Sequence, residues 1–152
     1  MIFNIRVYGI LINKQHQVLL SDELIKGKHY TKFPGGGLEF GEGIADCLIR
    51  EFKEETDLNV EIDEHLYTTD FFQVSAFNPA HQIISVYYKV KIVEDIDVMS
   101  YIEIINQHAQ FKKDNSNAEV FKWINLSELT EEMVSLPIDK IVVKKLKILN
   151  NN

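Results

Sequence analysis

Residues 35–58 read GGGLEFGEGIADCLIREFKEETDL, and the rest of the chain can be interpreted from this stretch. Its first half is rich in glycine, which allows backbone conformations that other residues rarely adopt. Its second half has the apolar spacing of a helix at about 100° per residue. The apolar stripe consists of Ile44, Leu48 and Phe52, flanked by Ala45 and Ile49.

Three glutamates accompany this predicted helix. Glu51 and Glu55 border the apolar stripe, and Glu54 is further round the helix. Like charges four residues apart weaken a helix by about 0.2–0.5 kcal/mol, so a purely solvated face explains this pair poorly. A divalent cation would offset the repulsion, and Mg²⁺ prefers oxygen ligands while leaving room for substrate phosphates. The spacing therefore predicts that Glu51, Glu54 and Glu55 bind a metal ion.

The same stretch resembles the Nudix box of the Nudix hydrolases. That motif reads Gly, five residues, Glu, seven residues, Arg-Glu, an aliphatic residue, any residue, Glu-Glu, any residue, Gly and an aliphatic residue. Positions 36–58 match it with Gly36, Glu42, Arg50, Glu51, Glu54, Glu55 and Leu58. Two positions depart from it, because Phe52 replaces the aliphatic residue and Asp57 replaces the second glycine. Asp57 is expected at the helix end, where Asp enters the left-handed region more readily than most residues.

The resemblance implies an α/β fold, namely the Nudix α/β/α sandwich with a mixed central sheet, in a single domain over residues 1–152. It also implies hydrolysis, with Mg²⁺ or Mn²⁺, of a nucleoside diphosphate linked to another moiety. By resemblance, Glu51 helps to deprotonate the attacking water with support from Glu42. The carbonyl of Gly36 joins the metal shell, and Gly35 and Gly37 let the main chain approach the substrate.

Several charged residues outside the helix are candidate ligands. A guanidinium forks two hydrogen bonds into one carboxylate, so Arg50 is expected to clamp acidic groups, although it could also bind phosphate. Basic residues before the glycines can attract an anion. These candidate substrate contacts are Arg6, Lys26, Lys28 and Lys32. Glu119 could be a further metal ligand or a base, whereas the simpler alternative is an exposed residue at the end of a strand.

Composition narrows the possible partners. The 152 residues carry a formal net charge of −7, which argues against a nucleic-acid binder because such a protein needs a basic surface. No apolar run approaches the ~18 residues that cross a bilayer, and no signal peptide is visible, so a cytoplasmic protein without membrane contact is expected. The single cysteine, Cys47, excludes an internal disulfide and is interpreted as a small core residue. The resemblance also allows a homodimer.

The remaining pattern predicts alternating strands and helices. Residues 2–13 and 17–20 are interpreted as a β-hairpin, followed by a polar segment at 21–32. Two longer strands are expected at 59–74 and 83–94, separated by a turn at 78–81. Residues 95–117 are interpreted as a short strand or helix and then a loop, and 118–125 as a final strand. A short helix should start at 127–129, and a last helix at Pro137.

Three other functions remain open. An isoprenyl diphosphate isomerase would share the fold and the metal, but it needs a cysteine outside the helix. A non-catalytic nucleotide sensor would retain the fold, although the complete set of acidic residues argues against it. A structural interaction module would leave those residues unexplained. The identity of the diphosphate substrate is not determined by the sequence.

Overall fold

The computed structural model describes residues 1–111 and 119–152, which form seven strands and three α-helices. A short 3₁₀ helix at Glu131–Met133 precedes the last α-helix. The strands are β1 (Ile2–Leu11), β2 (Gln17–Ile25), β3 (Lys28–Lys32), β4 (Gly35–Gly37), β5 (Val60–Thr68), β6 (His81–Ile92) and β7 (Glu119–Asn125). The helices are α1 (Ile44–Thr56), α2 (Val98–Phe111) and α3 (Pro137–Asn150).

The chain divides into two compact units. The first comprises Met1–Leu11 and Pro34–Glu94, and the second comprises Ile12–Phe33 and Asp95–Asn152. The first unit contains a mixed four-stranded sheet in the order β4-β1-β6-β5, in which β1 and β6 run parallel and the outer pairs are antiparallel. The second contains an antiparallel sheet in the order β3-β2-β7. Strands and helices therefore combine into the expected α/β class.

The predicted hairpin between residues 2–13 and 17–20 is wrong. Strand β1 pairs with β4 and β6, whereas β2 pairs with β3 and β7, and a lone bridge between Ile12 and Val18 remains at the turn. Neighbouring strands usually pair along the chain. Here β1 is nearly continuously apolar and is buried from Val7 to Leu11, which is typical of a central strand in parallel pairing rather than of a hairpin arm.

The polar segment at 21–32 is a hairpin rather than an irregular connection. Its strands β2 and β3 are joined by the two residues Lys26 and Gly27, which have φ angles of 49° and 77°. A two-residue loop with positive φ at both positions is the tight turn that matches strand twist. The sequence signal was the lone glycine at the second loop position.

Each outer strand of the three-stranded sheet has one residue whose outward N–H and C=O groups are both hydrogen-bonded. The Asn106 amide of α2 donates to the Phe121 carbonyl at 2.6 Å and accepts the Phe121 N–H at 2.8 Å. On the other side, the Ser135 N–H donates to the Thr31 carbonyl at 2.8 Å, and the Ser135 hydroxyl accepts the Thr31 N–H. Occupied edge groups protect a sheet from pairing with another chain.

The remaining expectations have mixed outcomes. The long strands end earlier than expected, at Thr68 and Ile92, and α2 is the helical alternative for the region after 95. Residues 112–118 lie outside the described residues, so the expected loop there and the first residue of the final strand do too. The short helix predicted at 127–129 is a turn, and the 3₁₀ helix starts at Glu131, whereas α3 begins at Pro137 as predicted. None of the helices within the described ranges is long and apolar enough to cross a bilayer.

Helix α1 ends as the sequence indicated. Asp57 adopts the left-handed conformation with φ 57° and ψ 11°, and its N–H donates to the carbonyl of Lys53. The Lys53 ammonium contacts the Asp57 side chain at 2.7 Å, so the replacement of glycine is accompanied by a local ion pair. The conformation that favours glycine is therefore retained with a different residue.

The buried face of α1 is rotated relative to the prediction. Its buried residues are Cys47, Leu48, Phe52 and Thr56, whereas Ile44 and Ile49 are partly exposed. The reason lies in strand β1. A Cβ atom on Gly9 would lie 2.4 Å from the Phe52 ring and 3.4 Å from Leu48 Cδ1, so Gly9 leaves the space that the ring occupies. Phe52, the aromatic residue at the aliphatic position of the motif, therefore packs against a glycine of β1.

We expect Gly9→Ala to destabilise the protein by about 1–3 kcal/mol, because the added methyl group overpacks against the ring. Phe52→Leu removes part of that ring, so Gly9→Ala should cost clearly less when Phe52→Leu is also present. The free energy of unfolding of the wild type, both single variants and the double variant, measured by denaturant titration, gives the coupling. Simple additivity of the two changes would contradict direct packing between these residues.

Candidate active site

The glycine strand β4 lies beside β1 and needs glycine at two positions. Gly35 has a φ of +141°, and a Cβ atom there would lie 2.1 Å from the Val7 carbonyl oxygen. A Cβ atom on Gly36 would lie 2.2–2.5 Å from the carboxylate atoms of Glu51. The absence of a side chain at Gly36 therefore lets the Glu51 carboxylate pack directly against the strand.

Arg50 forms the forked contact with Glu42 that the sequence indicated. Its Nε donates to Glu42 Oε2 at 2.9 Å, and its Nη2 donates to Glu42 Oε1 at 2.7 Å. Glu42 Oε1 also accepts the N–H of Glu39 at 2.8 Å, so the turn before α1 is fastened to the helix. The Arg50 guanidinium, with this backbone N–H, lowers the pKa of Glu42 from 4.5 to about 2, and the pairing raises the pKa of Arg50.

The same guanidinium reaches two glutamates of the helix. Its Nη1 donates to Glu51 Oε1 at 3.1 Å and to Glu54 Oε2 at 3.2 Å, and its Nη2 donates to the Gly37 carbonyl at 3.1 Å. The Glu51 side chain is 15% exposed, whereas that of Glu54 is 59% exposed. Arg50 therefore joins three carboxylates and the glycine strand into one network.

The metal site that the sequence predicts can be compared with this network. Within 1–111 and 119–152, no three acidic, histidine or cysteine side chains are grouped closely enough to hold an ion in this arrangement. Glu51 and Glu54 instead share Arg50, and Glu55 is half-buried on the next turn. The donor set still fits a hard cation, because carboxylate oxygens are what Mg²⁺ prefers and Gly36 leaves the Glu51 carboxylate in contact with backbone.

Arg6 lies beside the glycine strand on the opposite side from α1. It pairs with Gly37 across the sheet, and its Nη1 would be 3.4 Å from a Cβ atom on that glycine. Its Nε donates to the Tyr8 hydroxyl at 3.2 Å. The first unit thus brings together Gly36, Gly37, Glu42, Arg50, Glu51 and Glu54, whereas Arg6 lies on the other face of the glycine strand.

The lysines of the sequence prediction belong to the second unit. Lys26 is in the β2–β3 turn, and the exposed Lys28 ammonium lies 5.3 Å from the centre of the Tyr30 ring. Lys32 is buried, and its ammonium lies 3.3 Å from Glu23 Oε2 and 3.7 Å from Glu119 Oε1. The structure shows that Lys32 and Glu119 form an ion pair with each other. Substrate binding by Lys32 and metal binding by Glu119 both stay predictions.

Two features, one in each unit, were not predicted from the sequence. Ser21 is buried and its hydroxyl donates to Glu119, so the pair of Lys32 and Glu119 has a polar neighbour on β2. Gly9 was not singled out, although an isolated glycine within a strand often marks a close approach.

Cys47 is buried and its Sγ donates to the Gly37 carbonyl. Burial raises the pKa of its thiol to about 12, which is consistent with a core residue.

Comparison with known proteins identifies a family for this chain. A family model described as the NUDIX domain matches residues 3–145. The chain is 26% identical over 131 residues to Nudix hydrolase 5 of Arabidopsis thaliana, covering 84% of this chain and 38% of that protein. The chain spans about two fifths of the length of the curated relatives it matches.

Solved structures show the same fold. A NUDIX hydrolase from Nitrosomonas europaea superimposes with a TM-score of 0.67 at 19% identity, covering 93% of this chain and 86% of that one. The ORF135 protein of E. coli gives a TM-score of 0.70 at 15% identity, covering 99% and 92%. At these identities the likeness concerns the fold, and the α/β Nudix fold expected from the sequence is confirmed.

The Glu42–Arg50 contact predicts a defined acid sensitivity. Because the pKa of Glu42 in the folded protein, about 2, lies below its ordinary value of 4.5, Glu42 stabilises the fold above pH 4.5. This stabilisation should be lost as the pH falls from about 4.5 towards 2. Urea unfolding midpoints measured across this range should fall less steeply for Glu42→Gln than for the wild type. Glu103→Gln, which makes the same chemical change at an exposed position of α2, is the control and should follow the wild type; equal slopes for Glu42→Gln and the wild type would contradict the assignment.

Proposed function

The chain belongs to the NUDIX family, whose model covers residues 3–145, and we propose that it hydrolyses the diphosphate linkage of a nucleoside diphosphate joined to another moiety, with the help of a divalent metal ion. The observation that carries this proposal is the Arg50 network, because it holds Glu42, Glu51 and Glu54 around the glycine strand. We also propose that residues 1–152 act as a single catalytic domain. The net charge of −7 argues against nucleic acid as the substrate, and it would repel a small anionic substrate unless local basic groups or the metal ion recruit it.

The proposed roles follow from burial and hydrogen bonding. Glu51, Glu54 and Glu55 would hold the ion, with the Gly36 carbonyl beside them. When bound, a divalent ion such as Mg²⁺ or Mn²⁺ supplies charge neutralisation of the diphosphate and activation of water. The half-buried Glu51 is the candidate to accept a proton from the attacking water.

Glu42 and Arg50 act differently from Glu51 in this proposal. Both oxygens of Glu42 accept hydrogen bonds, and its pKa of about 2 makes it a weak proton acceptor. Glu42 therefore positions Arg50, and Arg50 in turn orients Glu51 and Glu54. The support that the sequence assigns to Glu42 in catalysis is then structural.

Substrate binding is proposed for the glycine strand, for Arg6 beside it and for two lysines of the second unit. Arg6 lies next to Gly37 and could contact a phosphate that enters over the glycine strand. Gly35 and Gly37 offer backbone without side chains, although Gly37 already accepts from Arg50 through its carbonyl. We also propose that Lys26 and Lys28 attract the anionic substrate and that the protein is cytoplasmic.

The isomerase alternative requires an accessible thiol that Cys47 does not provide. Its side chain is buried and its pKa is raised to about 12, so the thiolate is scarce near neutral pH. A non-catalytic sensor would bind the nucleotide without hydrolysing it. Incubation of the protein with nucleoside diphosphate derivatives and Mg²⁺ separates these two functions.

A panel of nucleotide sugars, dinucleoside polyphosphates, ADP-ribose and nucleoside triphosphates, each with Mg²⁺ or Mn²⁺, should yield at least one pair of cleavage products. For that substrate, Glu51→Gln and Glu54→Gln should each lower kcat by about 10²–10⁴-fold, because each removes a negative charge from the metal-binding group. Product chromatography measures both effects.

The exposed Glu61 on β5 provides the matched control, since Glu61→Gln makes the same chemical change away from the network. Retention of full turnover by both Glu51→Gln and Glu54→Gln would refute the assigned roles. Nucleotide binding without turnover of any compound in the panel would favour the sensor.

The steering role of the lysines has its own test. Lys26→Ala/Lys28→Ala should raise KM several-fold at low salt and weaken its salt dependence, because two cations that attract the substrate are removed. Lys32 is left intact because its ammonium lies between two carboxylates. Lys14→Ala/Lys147→Ala removes equal charge from other exposed positions, and an equal effect of this pair on KM would contradict local steering.

A further inference from the structure

Phe40 is an exposed aromatic residue in the turn between β4 and α1. The exposed fraction of its side chain is 112%, the highest among the large apolar side chains that the structure describes. It precedes Gly41, whose φ of 93° is a conformation that favours glycine. Turns favour small and polar residues, so the backbone conformation does not require an aromatic side chain at this position. The ring therefore needs an explanation other than the formation of the turn.

Residues on both sides of Phe40 contact the Arg50 guanidinium. Glu42 accepts two hydrogen bonds from it, and the same carboxylate accepts the N–H of Glu39 at 2.8 Å. The Glu39 carboxylate itself lies 4.0 Å from Arg50 Nη1. The turn is thus fastened to the group at the centre of the candidate active site. Phe40 is presented from a fixed backbone at the border of that site.

The size of this exposed surface indicates what could cover it. An aromatic side chain presents about 150–250 Å², whereas a standard protein interface buries about 800 Å² on each partner. The next large apolar residues along the chain, Ile44 and Ile49, are each only 37% exposed and add little to it. One ring is therefore too small for a protein partner. It is large enough for a nucleobase, because every base has a π-face that stacks on an aromatic side chain.

The charges around the turn also favour an uncharged ring system. Glu39 and Asp46, which are close to Phe40 in the chain, are both exposed carboxylates, so a phosphate or an anionic membrane would be repelled there. In the proposed hydrolase, the diphosphate binds at the Arg50 network and the base extends away from it through the ribose. We infer that Phe40 stacks on the nucleobase of the substrate, an inference that rests on the proposed function.

Stacking on Phe40 narrows the class of substrate. It selects a nucleoside diphosphate derivative over a diphosphate without a base. It tolerates different bases, because a π-face carries no hydrogen-bond pattern to be read. A purine offers a larger face than a pyrimidine, so adenine derivatives gain more from this contact than uracil derivatives.

Calorimetric titration in the presence of Mg²⁺ separates contact with the base from contact with the phosphates. The α,β-methylene analogue of ADP resists cleavage between its phosphates, and methylenediphosphonate is its counterpart without a nucleoside. Phe40→Ala should weaken binding of the ADP analogue by about 5-fold to 100-fold, because one base–aromatic stack is lost. Its affinity for methylenediphosphonate should stay unchanged. The α,β-methylene analogue of UDP should lose less affinity than the ADP analogue.

Two further variants at this position test the requirement for a ring. Phe40→Trp should bind the ADP analogue at least as tightly as the wild type, because indole offers a larger π-face. Phe40→Leu keeps an apolar side chain without a ring and should lose most of the affinity that Phe40→Ala loses. The Phe40 side chain is fully exposed, so the thermal unfolding of all three variants should match the wild type.

Phe72→Ala is the matched control. Phe72 is 61% exposed and lies in the segment that reaches β6 through the bridge between Val74 and Gln82. Because Gln82 pairs with β1 on its other side, β6 and β1 separate this segment from the glycine strand β4. We expect Phe72→Ala to bind the ADP analogue and methylenediphosphonate like the wild type.

Three outcomes would overturn the stacking role while the hydrolase assignment stands. The first is an unchanged affinity of Phe40→Ala for the ADP analogue. The second is an equal loss for the ADP analogue and methylenediphosphonate, which would assign the residue to the phosphates. The third is an equal loss for Phe40→Ala and Phe72→Ala. A wild type that binds neither compound with Mg²⁺ would instead contradict the hydrolase assignment and the stacking role together.

Discussion

The guanidinium of Arg50 connects helix α1 to the two segments that precede it. It contacts the Gly37 carbonyl, both oxygens of Glu42 in the turn, and Glu51 and Glu54 on its own helix. Carboxylates repel each other at such short separation, and half-buried ones gain little from water. A shared cation offsets this repulsion, whereas its removal would leave the carboxylates uncompensated. The acidic groups of the candidate site therefore stay together because Arg50 is between them.

Two glycines determine how closely α1 approaches the sheet of its unit. Gly9 provides space for the Phe52 ring, and Gly36 does the same for the Glu51 carboxylate. One contact is apolar and contributes to the core, while the other is polar and forms the candidate site. Because both involve the same helix, the packing of the Phe52 ring also holds Glu51 in position. The packing of the core and the geometry of the candidate site are therefore coupled in this unit through the orientation of one helix.

The second unit accommodates charge in a different way. Lys32 is buried, but Glu23 and Glu119 lie within 4 Å of its ammonium, and a buried cation with such partners is not left unpaired. The sequence suggested that Lys32 and Glu119 act on substrate and metal separately, since each residue is polar and close to a motif or a strand end. Lys32 on β3 and Glu119 on β7 can pair because both strands flank β2 in the same sheet. No local pattern in the chain indicates this arrangement.

The sequence by itself determined the features that depend on residues close together in the chain. These are the glutamates around Arg50, the end of α1 at Asp57 and the start of α3 at Pro137. Such features follow from local geometry, which repeats every 3.6 residues irrespective of the remaining fold. Only the tertiary structure decided that β1 pairs with β6 and not with β2. It also decided which face of α1 is buried, because Gly9 of β1 leaves space for Phe52 while Ile49 stays partly exposed. Those outcomes depend on contacts between residues far apart in the chain, and the free energy of such contacts is set by packing that no local pattern encodes.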